Sequence, residues 1–97
     1  MPTYIALVNF TEQGIRNIVQ TTERAKALAA AAGKLGVQVK STYWTMGPFD
    51  AVLIAEAPND EAITALALGA GAAGNIRTQT MRAYSADEMN KILTKLP

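Results

Sequence analysis

Histidine and cysteine are both missing from this chain of 97 residues. Without cysteine there is no disulfide and no thiolate metal site. Without histidine, the commonest metal ligand and the commonest general base near neutral pH are gone. Carboxylates remain as metal ligands, but they do not cluster along the chain, so no metal and no cofactor is expected. Charge is scarce as well. Only 18% of residues are charged, with a net charge of +1, against about 25% charged in ordinary domains. Loose binding to nucleic acid or to an anionic membrane needs a basic field, so neither partner is expected. No apolar run approaches the roughly 20 residues that cross a bilayer. The opening Met1-Pro2-Thr3-Tyr4 lacks the basic start of a secretion signal, and a cytoplasmic location is expected.

Apolar residues make up 49% of the sequence. A chain this short forms one domain, residues 1–97, and buries only about 60–65% of its unfolded surface. That leaves more apolar surface than a small core can hide, which points to association.

Tyr4 to Phe10 is an apolar run of strand length. Thr11 is placed to cap a short helical turn through Ile15 and Ile18. Arg24 to Ala32 is alanine-rich and helical, with Gly33 and Gly36 as stop signals. Val37 to Trp44 alternates, with Val37, Val39 and Tyr43 set against Gln38, Lys40 and Thr42, which predicts a half-buried strand. Met46 to Phe49 is a turn. Asp50 to Ala57 predicts a buried strand, and Asn59 or Asp60 caps a helix from Ala62 to about Leu68. Gly69 to Gly74 reads as a small-residue connection. Its G-x-G-x-x-G spelling follows a helix and leads into a strand, the reverse of a dinucleotide site. Ile76 to Tyr84 alternates again. Ser85 and Glu88 form a capping box before a helix with Met89, Ile92, Leu93 and Leu96 on one face.

The order is β-α-β-β-α-β plus a C-terminal helix. It predicts an α+β, ferredoxin-like antiparallel sheet with helices on one face. The first and third strands would be central. Both are apolar on both faces: Ile5 and Leu7 against Tyr4, Ala6, Val8 and Phe10, then Val52 and Ile54 against Ala51, Leu53 and Ala55. The two predicted edge strands alternate with polar residues. One apolar face therefore needs a cover. Either the C-terminal helix folds over it, or a second copy packs sheet to sheet as in dimeric α/β barrels, giving a homodimer or larger homo-oligomer. The sequence leaves open which face meets the helices.

Three stretches resemble the signature of the GYD-domain family of small uncharacterised proteins. They are Tyr43-Trp44-Thr45-Met46-Gly47-Pro48-Phe49-Asp50, Tyr4-Ile5 with Asn9 to Ile18, and Gly74-Asn75-Ile76-Arg77-Thr78-Gln79-Thr80. Here Pro48 is inserted and Phe49 stands in place of the motif's tyrosine. The resemblance implies a ferredoxin-like fold of the dimeric α/β-barrel kind and brings no established activity.

Asp50 is the candidate catalytic residue. It opens a buried strand, and three of the six aromatics, Tyr43, Trp44 and Phe49, lie within seven residues of it. A desolvated carboxylate would suit a general base. The structural alternative is that Asp50 fixes the turn through backbone amides. Tyr4, Tyr43, Trp44, Phe49 and Arg77 are candidate ligand-binding residues, each with packing or a solvated edge as its alternative role. Arg77 and Arg82 fall on opposite faces of their strand. Three functions stand side by side: a homo-oligomeric module binding a small apolar or aromatic molecule, an assembly subunit without a ligand, and a cofactor-independent isomerase or monooxygenase, the last by analogy of fold alone.

Overall fold

A computed structural model describes residues Met1 to Pro97. Strand β1 spans Thr3–Phe10 and is followed by α1, Glu12–Arg16, and a 3₁₀ turn at Ile18–Gln20. Helix α2, Thr21–Lys34, leads into strands β2, Gln38–Trp44, and β3, Ala51–Glu56. Helix α3, Asp60–Ala72, strand β4, Ile76–Ala83, and helix α4, Ala86–Leu93, complete the chain. The sheet order is β2-β3-β1-β4 and every pairing is antiparallel. The two strands that are apolar on both faces are thus the central pair, as expected.

The core assigns the faces. Tyr4, Ala6 and Val8 of β1 and Ala51, Leu53 and Ala55 of β3 are buried. Tyr4, Ala6, Leu53 and Ala55 pack in one cluster with Ala32, Val37, Ala57, Ile63 and Leu66 from the helices and their connections. Ile5 and Leu7 point the other way and pair with Ile54 and Val52. On this open face Met81 and Gln79 flank them from β4, and Tyr43 flanks Val52 from β2. Helix α4 does not close the face. Met89 and Leu93 on its apolar side, and Leu96 just beyond its end, remain exposed. The radius of gyration, 14.5 Å, exceeds the roughly 12.5 Å of a compact chain this long.

Three elements differ from expectation. The register of β2 shifts between Val39 and Ser41. This bulge turns Val39 toward the helices, opposite Ala55, while Tyr43 faces outward beside Val52. Simple alternation would put both on one face. Helix α3 runs through Gly69 and Gly71 to Ala72, where a connection was expected. Each glycine costs a helix up to ~1 kcal/mol, and the alanines and leucines around them offset that cost. Gly74, at φ 88°, ends the helix in a conformation that suits glycine. Helix α2 likewise continues through Gly33 and closes at Gly36, φ 75°. The Val37 amide donates to the Ala32 carbonyl and the Gly36 amide to that of Gly33, a Schellman closure.

Candidate functional site

Helices α2 and α3 lie across one sheet face but do not fill the space above it. Along α2 the cleft is lined at Thr21, Arg24, Ala25, Leu28, Ala31 and Leu35, on or next to the packed spacing of one helix side. Along α3, Ala65, Gly69 and Ala73 fall four residues apart. Small side chains at these positions cannot reach between the helices down to the sheet. The result is a cleft of about 460 Å³, within the range of small-molecule sites. Its floor is Val8 and Phe10 of β1, Ala51 and Leu53 of β3, Ile76 of β4, and Thr42 and Trp44 of β2. Trp44 closes one end, donating its indole N–H to the Thr21 hydroxyl at 3.0 Å. Polar groups are few: Thr21, Thr42, Asn75 and one charge, Arg24.

The segments that carry the family signature meet beside this cleft. The Asp50 carboxylate accepts the Phe10 amide at 2.9 Å, and the Asp50 amide donates to the Val8 carbonyl. The Asn9 side-chain amide donates to the Pro48 carbonyl. These bonds tie the turn between β2 and β3 to the end of β1. On the other side, the Thr11 amide donates to the Asn75 carbonyl and its hydroxyl to that of Gly74. Gln13 donates to the Ala73 carbonyl at 3.1 Å. Gly14 is buried against Asn75 so closely that a Cβ would stand 2.0 Å from the Asn75 oxygen. The arrangement can bind and orient; it places no nucleophile and base side by side.

A second cavity, about 490 Å³, opens between α3 and β4 and is lined by Tyr4, Asp60, Thr78, Thr80 and Arg82 among others. The Tyr4 hydroxyl donates to the Asp60 carboxylate. This bond, with burial and the negative charge of Asp60, raises the Tyr4 pKa. Arg82 lies 4.6 Å from the Tyr84 ring centroid and 3.2 Å from the Glu88 carboxylate. Glu88 is held below its ordinary pKa, first by the Ser85 amide and then by Arg82.

The candidates from sequence are therefore dispersed. Trp44 is in the wall of the first cleft and Tyr4 in that of the second. Asp50 and Phe49, both half-buried, sit at the turn that adjoins the first. Tyr43 and Arg77 belong to the open face, next to Val52 and Asn9. Arg24, Leu28 and the small-residue side of α3 escaped the sequence reading. Their signal was present as the four-residue spacing of Ala65, Gly69 and Ala73. No group of three acidic side chains comes together to hold a metal ion, and no helix is long and apolar enough to cross a membrane.

A four-stranded antiparallel sheet with helices on one face defines an α+β protein with an apolar cleft between its layers. The chain belongs to the GYD domain family, whose model matches residues 4–93. It is 31% identical over 90 residues to a protein of Thermus thermophilus named "Glutamine synthetase and cystathionine beta-lyase binding protein", covering 92% of this chain and 95% of that one. The crystal structure of TTHA0845, also from Thermus thermophilus, matches with a TM-score of 0.56 at 24% identity, over 89% of this chain and 96% of that chain. At that identity the likeness concerns the fold.

Proposed function

We propose that this protein is a binding module that takes a small apolar or aromatic molecule in the cleft between its sheet and helices α2 and α3, and that it works as a homodimer closed through the open sheet face. The observation that carries the ligand reading is the cleft of about 460 Å³, walled by Phe10, Leu28, Trp44, Leu66 and Ile76. A core is normally packed to the density of an organic crystal. Here small residues on both helices leave room that an apolar guest would fill. Asp50 serves this reading by holding the Phe10 amide, and so the cleft floor, in place. Dimerisation is supported by Ile5, Leu7, Val52 and Ile54, which pair across the two central strands as a continuous apolar patch on the face away from the core cluster and are only half-buried there.

Trp44 is the only tryptophan and lines the cleft, so its emission reports occupancy. Titration with 1-decanol, a flexible apolar probe, is expected to give a saturable shift of that emission. Gly69→Phe should abolish it, because a side chain there enters open space at the cleft wall. An emission that never saturates, or saturation unaltered by Gly69→Phe, would count against the cleft.

A second reading has one observation in its favour, the name of the Thermus relative, which describes a protein that binds two enzymes. In that reading the open sheet face or the exposed side of α4 meets a protein partner.

A further inference from the structure

Resting on the cleft as a ligand site, we infer that its ligand is a hydrophobic carboxylate, an apolar body carrying a single negative charge that is met by Arg24. Arg24 is the one charged residue in the cleft wall. Its neighbours do not neutralise it: the ion pairs of the molecule are Arg16–Glu12 and Arg82–Glu88. Its partners are instead two backbone carbonyls, Asn17 at 2.7 Å from Nη1 and Gly14 at 3.4 Å from Nη2. These contacts tether the guanidinium to the end of α1. A guanidinium has five N–H donors, so three are left over.

The physics then selects the guest. Arginine stays protonated in proteins. A wholly neutral apolar molecule in the cleft would strip water from a half-buried cation and return nothing. A guest with a carboxylate at one end gives the cation a partner and the free donors an acceptor, through charge-assisted bonds. The rest of the wall is apolar enough to take an alkyl chain or an aromatic ring. No acidic residue lines the cleft to repel the anion. A cationic guest would meet Arg24 with like charge.

The test compares decanoate with 1-decanol, equal in chain length and different in charge, by Trp44 emission at one pH and ionic strength. Charge-assisted bonds are worth enough that decanoate is expected to bind at least about tenfold tighter. Arg24→Gln should bring the two affinities together, and Arg24→Lys, which keeps the charge, should retain most of the preference. Equal binding of the two probes by the unaltered protein would overturn the inference and leave the cleft reading standing. So would a preference that survives Arg24→Gln. Failure of both probes to bind would overturn the cleft reading and this inference with it.

Discussion

Gly14 and Gly71 are both helical, and alanine should act on them in opposite directions. In an open helix position, Gly→Ala stabilises by roughly 0.5–1 kcal/mol. Gly71 is such a position, with nothing within 4 Å of an added Cβ. At Gly14 the added carbon would stand 2.0 Å from the Asn75 carbonyl oxygen, a backbone atom that cannot swing aside. Relief requires α1 to lift from the turn between α3 and β4. That motion loses the Thr11 amide bond to Asn75, the Thr11 hydroxyl bond to Gly74 and the Gln13 bond to Ala73. At about 0.5–1.5 kcal/mol each, and after the helical gain, Gly14→Ala should cost about 0.5–4 kcal/mol. Each kcal/mol moves the melting point of a chain this size by about 4–8 °C. Calorimetry at one fixed protein concentration should therefore show Gly14→Ala melting roughly 2–30 °C lower and Gly71→Ala melting a few degrees higher. A Gly14→Ala protein as stable as the parent would refute the tight seam between α1 and Asn75.

Asp50→Ala should lose about 1–3 kcal/mol in chemical denaturation, because the Phe10 amide loses its acceptor; Asp50→Asn, which keeps an acceptor oxygen, should lose less. Glu88 has a lowered folded pKa, so its contribution is present above the ordinary value of 4.5 and fades as pH falls through the lower folded value. Hydrogen exchange in α4 should therefore quicken in acid, and Glu88→Gln should flatten that dependence. Tyr4 has a raised folded pKa, so its contribution is present below the ordinary value of 10.0 and is lost as pH rises through the higher folded value. Tyr4→Phe should remove that alkaline loss from denaturation curves. The unaltered protein should sediment as a dimer and Ile54→Lys as a monomer; a monomeric parent, or an Ile54→Lys protein that stays dimeric, would contradict an interface through the open face.

The strand order was legible because burial leaves a compositional trace. Ile5, Leu7, Val8, Val52, Leu53 and Ile54 put apolar groups on both faces of two strands, and only central strands bury both. Three caps were legible for the same local reason, since Thr11, Asn59 and Ser85 each accept from a helix amide. The start of α2 was not, because Thr21 or Thr22 suits a cap while the observed N-cap is Gln20, which makes no side-chain bond. The bulge at Lys40 was not, since it changes the face of Val39 and Tyr43 without changing any residue type. Nor was the length of α3, where two glycines spoke for a loop and the surrounding alanines and leucines prevailed. Asp50 could be singled out from its neighbours, yet its partner is an amide 40 residues earlier. The cleft is the hardest case. Ala65, Gly69 and Ala73 announce a bare helix side, but a bare side more often means close helix packing than an empty groove. Only the spacing of helices and sheet decides between the two.

The most direct test of the cleft as a ligand site is a methyl and indole NMR map recorded as decanoate is added. Shifts should concentrate at the Trp44 indole and the methyls of Ala31, Leu66 and Ile76, with Ile5, Leu7, Val52 and Ile54 on the opposite face unmoved. Shifts confined to those four, or none at saturating probe, would contradict the account.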